Sequence, residues 1–366
     1  MSAPAPLPGI LDIKPYVGGA SRATAQPGVR IARLASNESP LGPSPRAIEA
    51  FKAAADSLHL YPDGGVGALR GALAEHHGID AAGIVCGNGS DELLALLAKC
   101  YAGPGDEVVI SEFGFLIYPI AARSAGAAPV VAPERQLRVD VEAVAGLVGA
   151  DTKLVFLANP NNPTGSYITA VELRELHGRL PPETLLVIDA AYAEYVTADD
   201  YDDGLRMVEA FDNVVVTRTF SKLYGLAGLR LGWAYCPAAV ADALNRVRGP
   251  FNVTAPSQAA ALAALGDTDN AAAARDHNAR WLPWLGAELT GLGLTVHPSV
   301  ANFILVEFAG AAAAAAARAH LSSLGIITRE MDGYGLPGCL RIAIGLEEDM
   351  RAVVAAVAEF IARSTA

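Results

Sequence analysis

Five short apolar runs recur through the middle of the chain: Ile84-Val85-Cys86, Val108-Val109-Ile110, Leu154-Val155-Phe156-Leu157, Leu185-Leu186-Val187-Ile188 and Val214-Val215-Val216. Each is rich in β-branched and aliphatic residues, and none alternates with polar residues. A strand of that kind is buried on both faces, as happens when helices cover both sides of a parallel sheet. Helix-like stretches lie between the runs and beyond them, including 91–101, 170–178 and 238–247. The pattern therefore predicts an α/β fold built on a mostly parallel sheet.

The pattern changes after Gly266. A long helix is expected over 267–291, then a strand over 302–307, a helix in the Ala-rich stretch from Ala311 to His320, and paired strands around 326–329 and 340–344. That order describes a small α+β domain. At the other end, Pro4, Pro6, Pro8, Pro15 and Pro27, with Gly18-Gly19, discourage regular structure and predict an extended arm. The expected organisation is an arm over 1–30, a large domain over 31–265 and a small C-terminal domain over 266–366. The 366 residues fit that division, at about 100–200 residues per domain.

Lys and Arg total 27 against 39 Asp and Glu, a formal net charge of −12. So acidic a chain has no general attraction for nucleic acid or an anionic membrane surface. The apolar runs are broken well before the ~20 residues that a spanning helix needs. The first residues lack the basic start and apolar core of a signal peptide. The four cysteines, Cys86, Cys100, Cys236 and Cys339, show no paired spacing and read as small core residues of a cytoplasmic protein. No residue cluster points to a metal. The His76-His77 pair reads as a surface feature, since adjacent helical residues do not face one site.

Four polar motifs carry the chemistry. Thr219-Phe220-Ser221-Lys222 follows the last apolar run, and Arg230 lies eight residues after the lysine. Ligands bind beyond the carboxyl ends of parallel strands. An amine there, between hydroxyls and a guanidinium, suits an aldehyde that also carries a phosphate. A surface lysine on a Gly-rich loop would read the same way. Asp189-Ala190-Ala191-Tyr192 ends another run. A buried Asp needs a cation or hydrogen bonds, and a protonated pyridine would serve. A helix cap is the structural alternative for Asp189, and an ordinary half-buried ring for Tyr192. Asn159-Pro160-Asn161-Asn162-Pro163-Thr164-Gly165 reads as a constrained turn or as a polar site. Gly87-Asn88-Gly89-Ser90-Asp91 leads into a helix, where free N–H groups favour a phosphate, although capping alone would explain Ser90 and Asp91.

Together and in this order, these pieces resemble the fold-type I pyridoxal-phosphate aminotransferases over nearly the whole chain. Further matches are Lys14-Pro15-Tyr16, Leu34-Ala35-Ser36-Asn37-Glu38-Ser39-Pro40, Tyr61-Pro62-Asp63-Gly64, Phe115-x-x-Tyr118-Pro119, Thr328-Arg329 and Leu340-Arg341-Ile342-Ala343-Ile344-Gly345. These are most similar to the histidinol-phosphate aminotransferase family. The resemblance implies a large domain with a mostly parallel seven-stranded sheet and a smaller α+β C-terminal domain. It implies pyridoxal 5'-phosphate as cofactor, with Lys222 as its covalent anchor and proton shuttle and Asp189 on its ring nitrogen. Asn162 and Tyr192 would bind the ring oxygen, with Phe115 on the ring face. Gly89, Ser90, Asp91, Thr219, Ser221 and Arg230 would hold its phosphate, and Tyr61 would reach that phosphate from the other subunit of a homodimer. Tyr16, Asn37, Arg329 and Arg341 would bind substrate.

The implied reaction is transamination between L-histidinol phosphate and 2-oxoglutarate. An aromatic aminotransferase and a decarboxylase of a phosphorylated amino acid are alternatives on the same scaffold. A transcription regulator with an aminotransferase-like domain is disfavoured, because a Pro-rich arm of about 30 residues has no room for a helix-turn-helix.

Overall fold

The computed structural model describes residues 4–19, 24 and 28–364. Of the residues assigned to the arm, 1–3, 20–23 and 25–27, with Pro27 among them, lie outside the described set.

The large sheet has seven strands: β1 (Ile84–Gly87), β2 (Glu107–Ser111), β3 (Ala128–Ala132), β4 (Thr152–Ala158), β5 (Leu185–Asp189), β6 (Val214–Thr219) and β7 (Gly232–Tyr235). Their order is β1-β7-β6-β5-β4-β2-β3. Only β7 runs antiparallel to its neighbours. The five apolar runs are β1, β2, β4, β5 and β6. Val155, Leu157, Leu186, Ile188, Val214 and Val216 pack into one hydrophobic cluster, while Leu154, Phe156, Leu185, Val187 and Val215 pack into another. Successive side chains of a strand point to opposite faces, so the sheet is buried on both sides. Each such side chain contributes about 1.5–3 kcal/mol by burial.

Two strands have no apolar run to announce them. β3 is an edge strand, half-exposed and carrying Pro129, which only an edge tolerates. β7 is short, begins with a glycine and reverses direction.

The smaller C-terminal domain holds an antiparallel sheet of β8 (Thr295–His297), β9 (Phe303–Glu307), β10 (Arg329–Glu330) and β11 (Cys339–Ala343), in the order β8-β9-β11-β10. Helices Thr268–Gly291, Ala311–Ser323 and Glu347–Ser364 accompany it. Ala314 and Ala317 are buried, so the Ala-rich stretch is a close-packed helix. The expected strand around 326–329 is split. Arg329–Glu330 pairs with β11, whereas Ile326–Ile327 pairs in parallel with Ala32–Arg33. Ala343 N–H also donates to Leu34 O at 3.0 Å. These bonds fix Ala35–Asn37 between the two sheets.

All four cysteines are unpaired; three are buried and Cys100 is half-buried. Burial pushes the Cys86 and Cys236 thiols up to about 12. His76 is exposed, but His77 departs from the surface reading: it packs against Trp233 at 5.1 Å, and burial pushes it down to about 3. No helix of the described residues is long and apolar enough to cross a membrane.

Candidate active site

Strands β4, β5 and β6 are parallel neighbours, with Ala158 opposite Asp189 and Asp189 opposite Thr217. Their carboxyl ends therefore share one edge, and the three polar motifs that follow them meet there. A cavity of about 320 Å³ opens at this edge. Ser90, Asp91, Phe115, Asn162, Asp189, Tyr192, Thr219, Ser221, Lys222 and Arg230 line it from the large sheet's side. Tyr16, Asn37, Arg329 and Arg341 line it from the arm and the small sheet. Of the residues singled out in the sequence, Gly89 and Tyr61 are not on its wall.

Lys222 is half-buried, not the surface lysine its loop also allowed. Its Nζ donates to Ser36 O at 3.0 Å and sits 5.7 Å from the Tyr192 ring centre. Burial, reinforced by the Arg341 cation, pushes the amine down to about 8, against the opposing charges of Asp91 and Glu38. Such an amine deprotonates readily near neutral pH, as a nucleophile or proton carrier must.

Asp189 is the last residue of β5 and only 5% exposed. It caps no helix. Its Oδ1 accepts from Thr217 Oγ1 at 2.9 Å and its Oδ2 from Tyr118 Oη at 2.8 Å. Burial still pushes the carboxyl up to about 6. Tyr118 and Thr217 were given no role by the sequence. The strand register is the signal that places Thr217 beside Asp189. Nothing local announces the reach of Tyr118 across 71 positions.

An anion cradle faces them. The helix Ser90–Tyr101 begins after Gly89, whose φ is +83°, and no side chain caps it. Its first N–H groups therefore carry the positive end of the helix dipole without a side-chain partner. A Cβ at Gly232 would lie 2.3 Å from Ser90 N, so only glycine lets β7 pass beneath this turn. Arg230, at φ +49°, is held by Asp91 at 3.0 Å. Thr219 Oγ1 accepts from Ser221 N–H at 3.0 Å. Amides, hydroxyls and a guanidinium thus converge on one anion-sized place.

Asn37 Nδ2 donates to Tyr192 Oη at 3.0 Å, and Asn302 Nδ2 binds Asn37 O at 3.0 Å. Arg329 and Arg341 are cross-strand partners on β10 and β11. Arg341 donates to Asn162 Oδ1 and, at 2.7 Å, to Ala35 O. Arg329 donates to Val17 O at 2.6 Å and lies 6.0 Å from the Tyr16 ring centre. Two cations in one cavity, Arg329 half-buried and Arg341 buried, suit an anionic substrate. Tyr61 stacks on Phe251 at 4.7 Å and is 83% exposed.

The sequence matches the family described as aminotransferase class I and II over residues 29–357. Histidinol-phosphate aminotransferase of Rhodospirillum centenum is 57% identical over 99% of both chains. The enzyme of that name from Paramagnetospirillum magneticum is 58% identical over 99% of both. Among solved structures, histidinol-phosphate aminotransferase from Sinorhizobium meliloti in complex with pyridoxal-5'-phosphate superposes with a TM-score of 0.89 at 32% identity, over 100% of both chains. Sheet order, cavity position and the full-length matches agree: the chain belongs to the class I and II aminotransferase family.

Proposed function

We propose that this chain is a pyridoxal-phosphate-dependent aminotransferase that moves the amino group of L-histidinol phosphate to 2-oxoglutarate, giving imidazole-acetol phosphate and glutamate. The observation that carries the reaction class is the meeting of Lys222, Asp189 and the Ser90–Arg230 cradle in one cavity. The choice of substrate rests on the full-length likeness to histidinol-phosphate aminotransferases. The donor set fits the cofactor group by group: an amine for its aldehyde, a carboxylate for its ring nitrogen, a phenol and an amide for its ring oxygen, and the cradle for its phosphate. The reading is tested by following glutamate formed from histidinol phosphate and 2-oxoglutarate.

When bound, pyridoxal phosphate supplies the electron sink for the substrate's α-carbon and carries the amino group between half-reactions. An ionised Asp189 would keep the ring nitrogen protonated, because an adjacent negative charge favours the cationic form. Tyr192 and Asn162 would hold the ring through its oxygen, and Phe115 would offer an aromatic face to it. Ser90, the Asp91 backbone N–H, Thr219, Ser221 and Arg230 would anchor the phosphate. Lys222, whose amine burial and the Arg341 cation make easier to deprotonate, would take the α-proton and return it on the other side of the exchange. Arg341 offers a planar fork to the dicarboxylate. Histidinol phosphate has no α-carboxylate, so Arg329, Arg341 and Tyr16 meet its phosphate instead.

The enzyme acts as a homodimer in which Tyr61 reaches the other subunit's cradle. Supporting this, Leu41, Ile48, Phe51, Leu58, Leu60, Tyr61 and Phe251 are all exposed, and an apolar groove runs beside Ile48 and Phe51. Exposed apolar side chains in such number suit a second copy of the chain. The division into an arm over 1–30, a large domain over 31–265 and a small domain over 266–366 accords with the two sheets, with Ala32–Arg33 lending its backbone to the small domain. The four unpaired thiols suit a reducing cytoplasm.

A further inference from the structure

Tyr118 is completely buried in the first turn of the helix Ile117–Ser124. Its N–H donates to Phe115 O at 3.0 Å, which fixes the spacing between the two residues. Its ring stacks on Phe156 of β4 at 5.1 Å and 13°, and meets the Phe115 ring edge-on at 5.9 Å and 88°. Its hydroxyl ends 2.8 Å from Asp189 Oδ2. One rigid side chain therefore touches both the aromatic wall of the cavity and the carboxylate at its floor.

The electrostatics of Asp189 make that contact consequential. Among the described residues no Lys, Arg or His forms an ion pair with it, and its hydrogen-bond donors are the neutral hydroxyls of Tyr118 and Thr217. The charged and titratable groups that act on it are Lys222 on the loop after β6, Asp91 on the helix Ser90–Tyr101, Tyr192 after β5, and Tyr118 itself. Lys222 favours the carboxylate and Asp91 opposes it. A buried carboxylate stays ionised only if donors replace the water it has lost. Tyr118 is itself buried, so its phenol keeps its proton and serves as donor only.

We propose that Tyr118 is a positioning residue for the transamination: its hydroxyl keeps Asp189 ionised and aimed at the cofactor's ring nitrogen, while its ring braces Phe115 for the opposite contact. This role rests on the functional reading above and adds a residue to it. Tyr118 touches neither substrate nor the reacting carbon; it acts through Asp189 and Phe115.

Tyr118→Phe separates the two contacts, because it keeps the ring and deletes only the donor. In holoenzyme loaded with ring-15N pyridoxal phosphate, the wild type should show a protonated ring nitrogen at pH 8, and Tyr118→Phe should shift toward the unprotonated signal. The acid limb of its pH–rate profile should move to higher pH. Its kcat should fall roughly 10- to 100-fold, the range spanned by losing one hydrogen bond to a charged acceptor, with KM and Tm little changed. Thr217→Val, which deletes the other donor, should move the 15N signal in the same direction and provides the same test if Tyr118→Phe does not fold. A wild-type nitrogen signal, pH profile and kcat in a folded Tyr118→Phe enzyme would overturn the role. Failure of the wild-type chain to bind pyridoxal phosphate at all would instead overturn the functional reading, and the role with it.

Discussion

Arg341 of the small domain donates from Nη1 to Asn162 Oδ1, at the carboxyl edge of the large sheet, 179 positions earlier in the chain. Its Nη2 holds Ala35 O at 2.7 Å, and its Nε is buried without a partner. Arg341 as a whole is 5% exposed, and its guanidinium carbon lies 5.2 Å from the Phe303 ring centre. It is thus a buried fork held between two domains, and the residue it holds, Asn162, is assigned to the cofactor's ring oxygen. On the proposed reading, the fork meant for the substrate carboxylate and the amide meant for the cofactor ring are one hydrogen-bonded pair of side chains.

Replacing Arg341 by Ala removes the fork. The KM for 2-oxoglutarate should rise roughly 10- to 100-fold, as expected for a charge-assisted contact. Lys in its place should restore only part of the loss, since an ammonium is a point charge and not a fork. Steady-state kinetics with varied 2-oxoglutarate check this; an unchanged KM in Arg341→Ala would remove the assignment.

Lys222→Ala should abolish turnover and the visible absorbance of the bound cofactor together. Among the described residues no other lysine lines the cavity to substitute for it. An active, yellow Lys222→Ala protein would contradict the proposed anchor.

How far these sites could be read in advance depended on the range of the signal. Local patterns were legible: β4, β5 and β6 announce themselves as apolar runs, and the motifs at their ends meet as parallel strands require. Edge strand β3 hid behind Pro129 and a half-exposed surface. Long-range partners were not legible. The Asn37–Tyr192 bond joins residues 155 positions apart, and no residue near Asn37 points to it. His77 looked like a surface residue because the sequence does not show that Trp233 lies against that face of the helix. Tyr118 stood in view beside Phe115, but its hydroxyl partner lies at the end of β5, 71 positions on.

Asp189 illustrates a conflict between function and stability. Burial raises its carboxyl from 3.8 to about 6. The native state therefore binds the proton more tightly than the unfolded state does. The associated stability is present in full below about pH 4 and is lost as pH rises through about 6. Above that, a buried charge costs on the order of 2–3 kcal/mol in the cofactor-free chain. Asp189→Asn apoprotein should accordingly match or exceed wild-type Tm at pH 7.5, while its turnover falls by at least about 100-fold. Differential scanning calorimetry beside a turnover assay checks this; a strongly destabilised, fully active variant would reverse the assignment.

Mixing Tyr61→Ala and Lys222→Ala subunits tests the shared site. If Tyr61 serves the other subunit's cradle, both defects fall in one of the hybrid's sites and the other is intact. Activity should then rise above that of either parent as subunits exchange. Monomeric light scattering, or no gain on mixing, would contradict the arrangement.

The most direct measurement of the amino donor mixes the purified yellow enzyme with single donors, without acceptor, and follows loss of the cofactor's visible band over a concentration series. Histidinol phosphate should convert the enzyme at low concentration, with phenylalanine needing far more and threonine phosphate releasing no carbon dioxide. Equal or better conversion with phenylalanine would contradict the account and leave Arg329 without its phosphate.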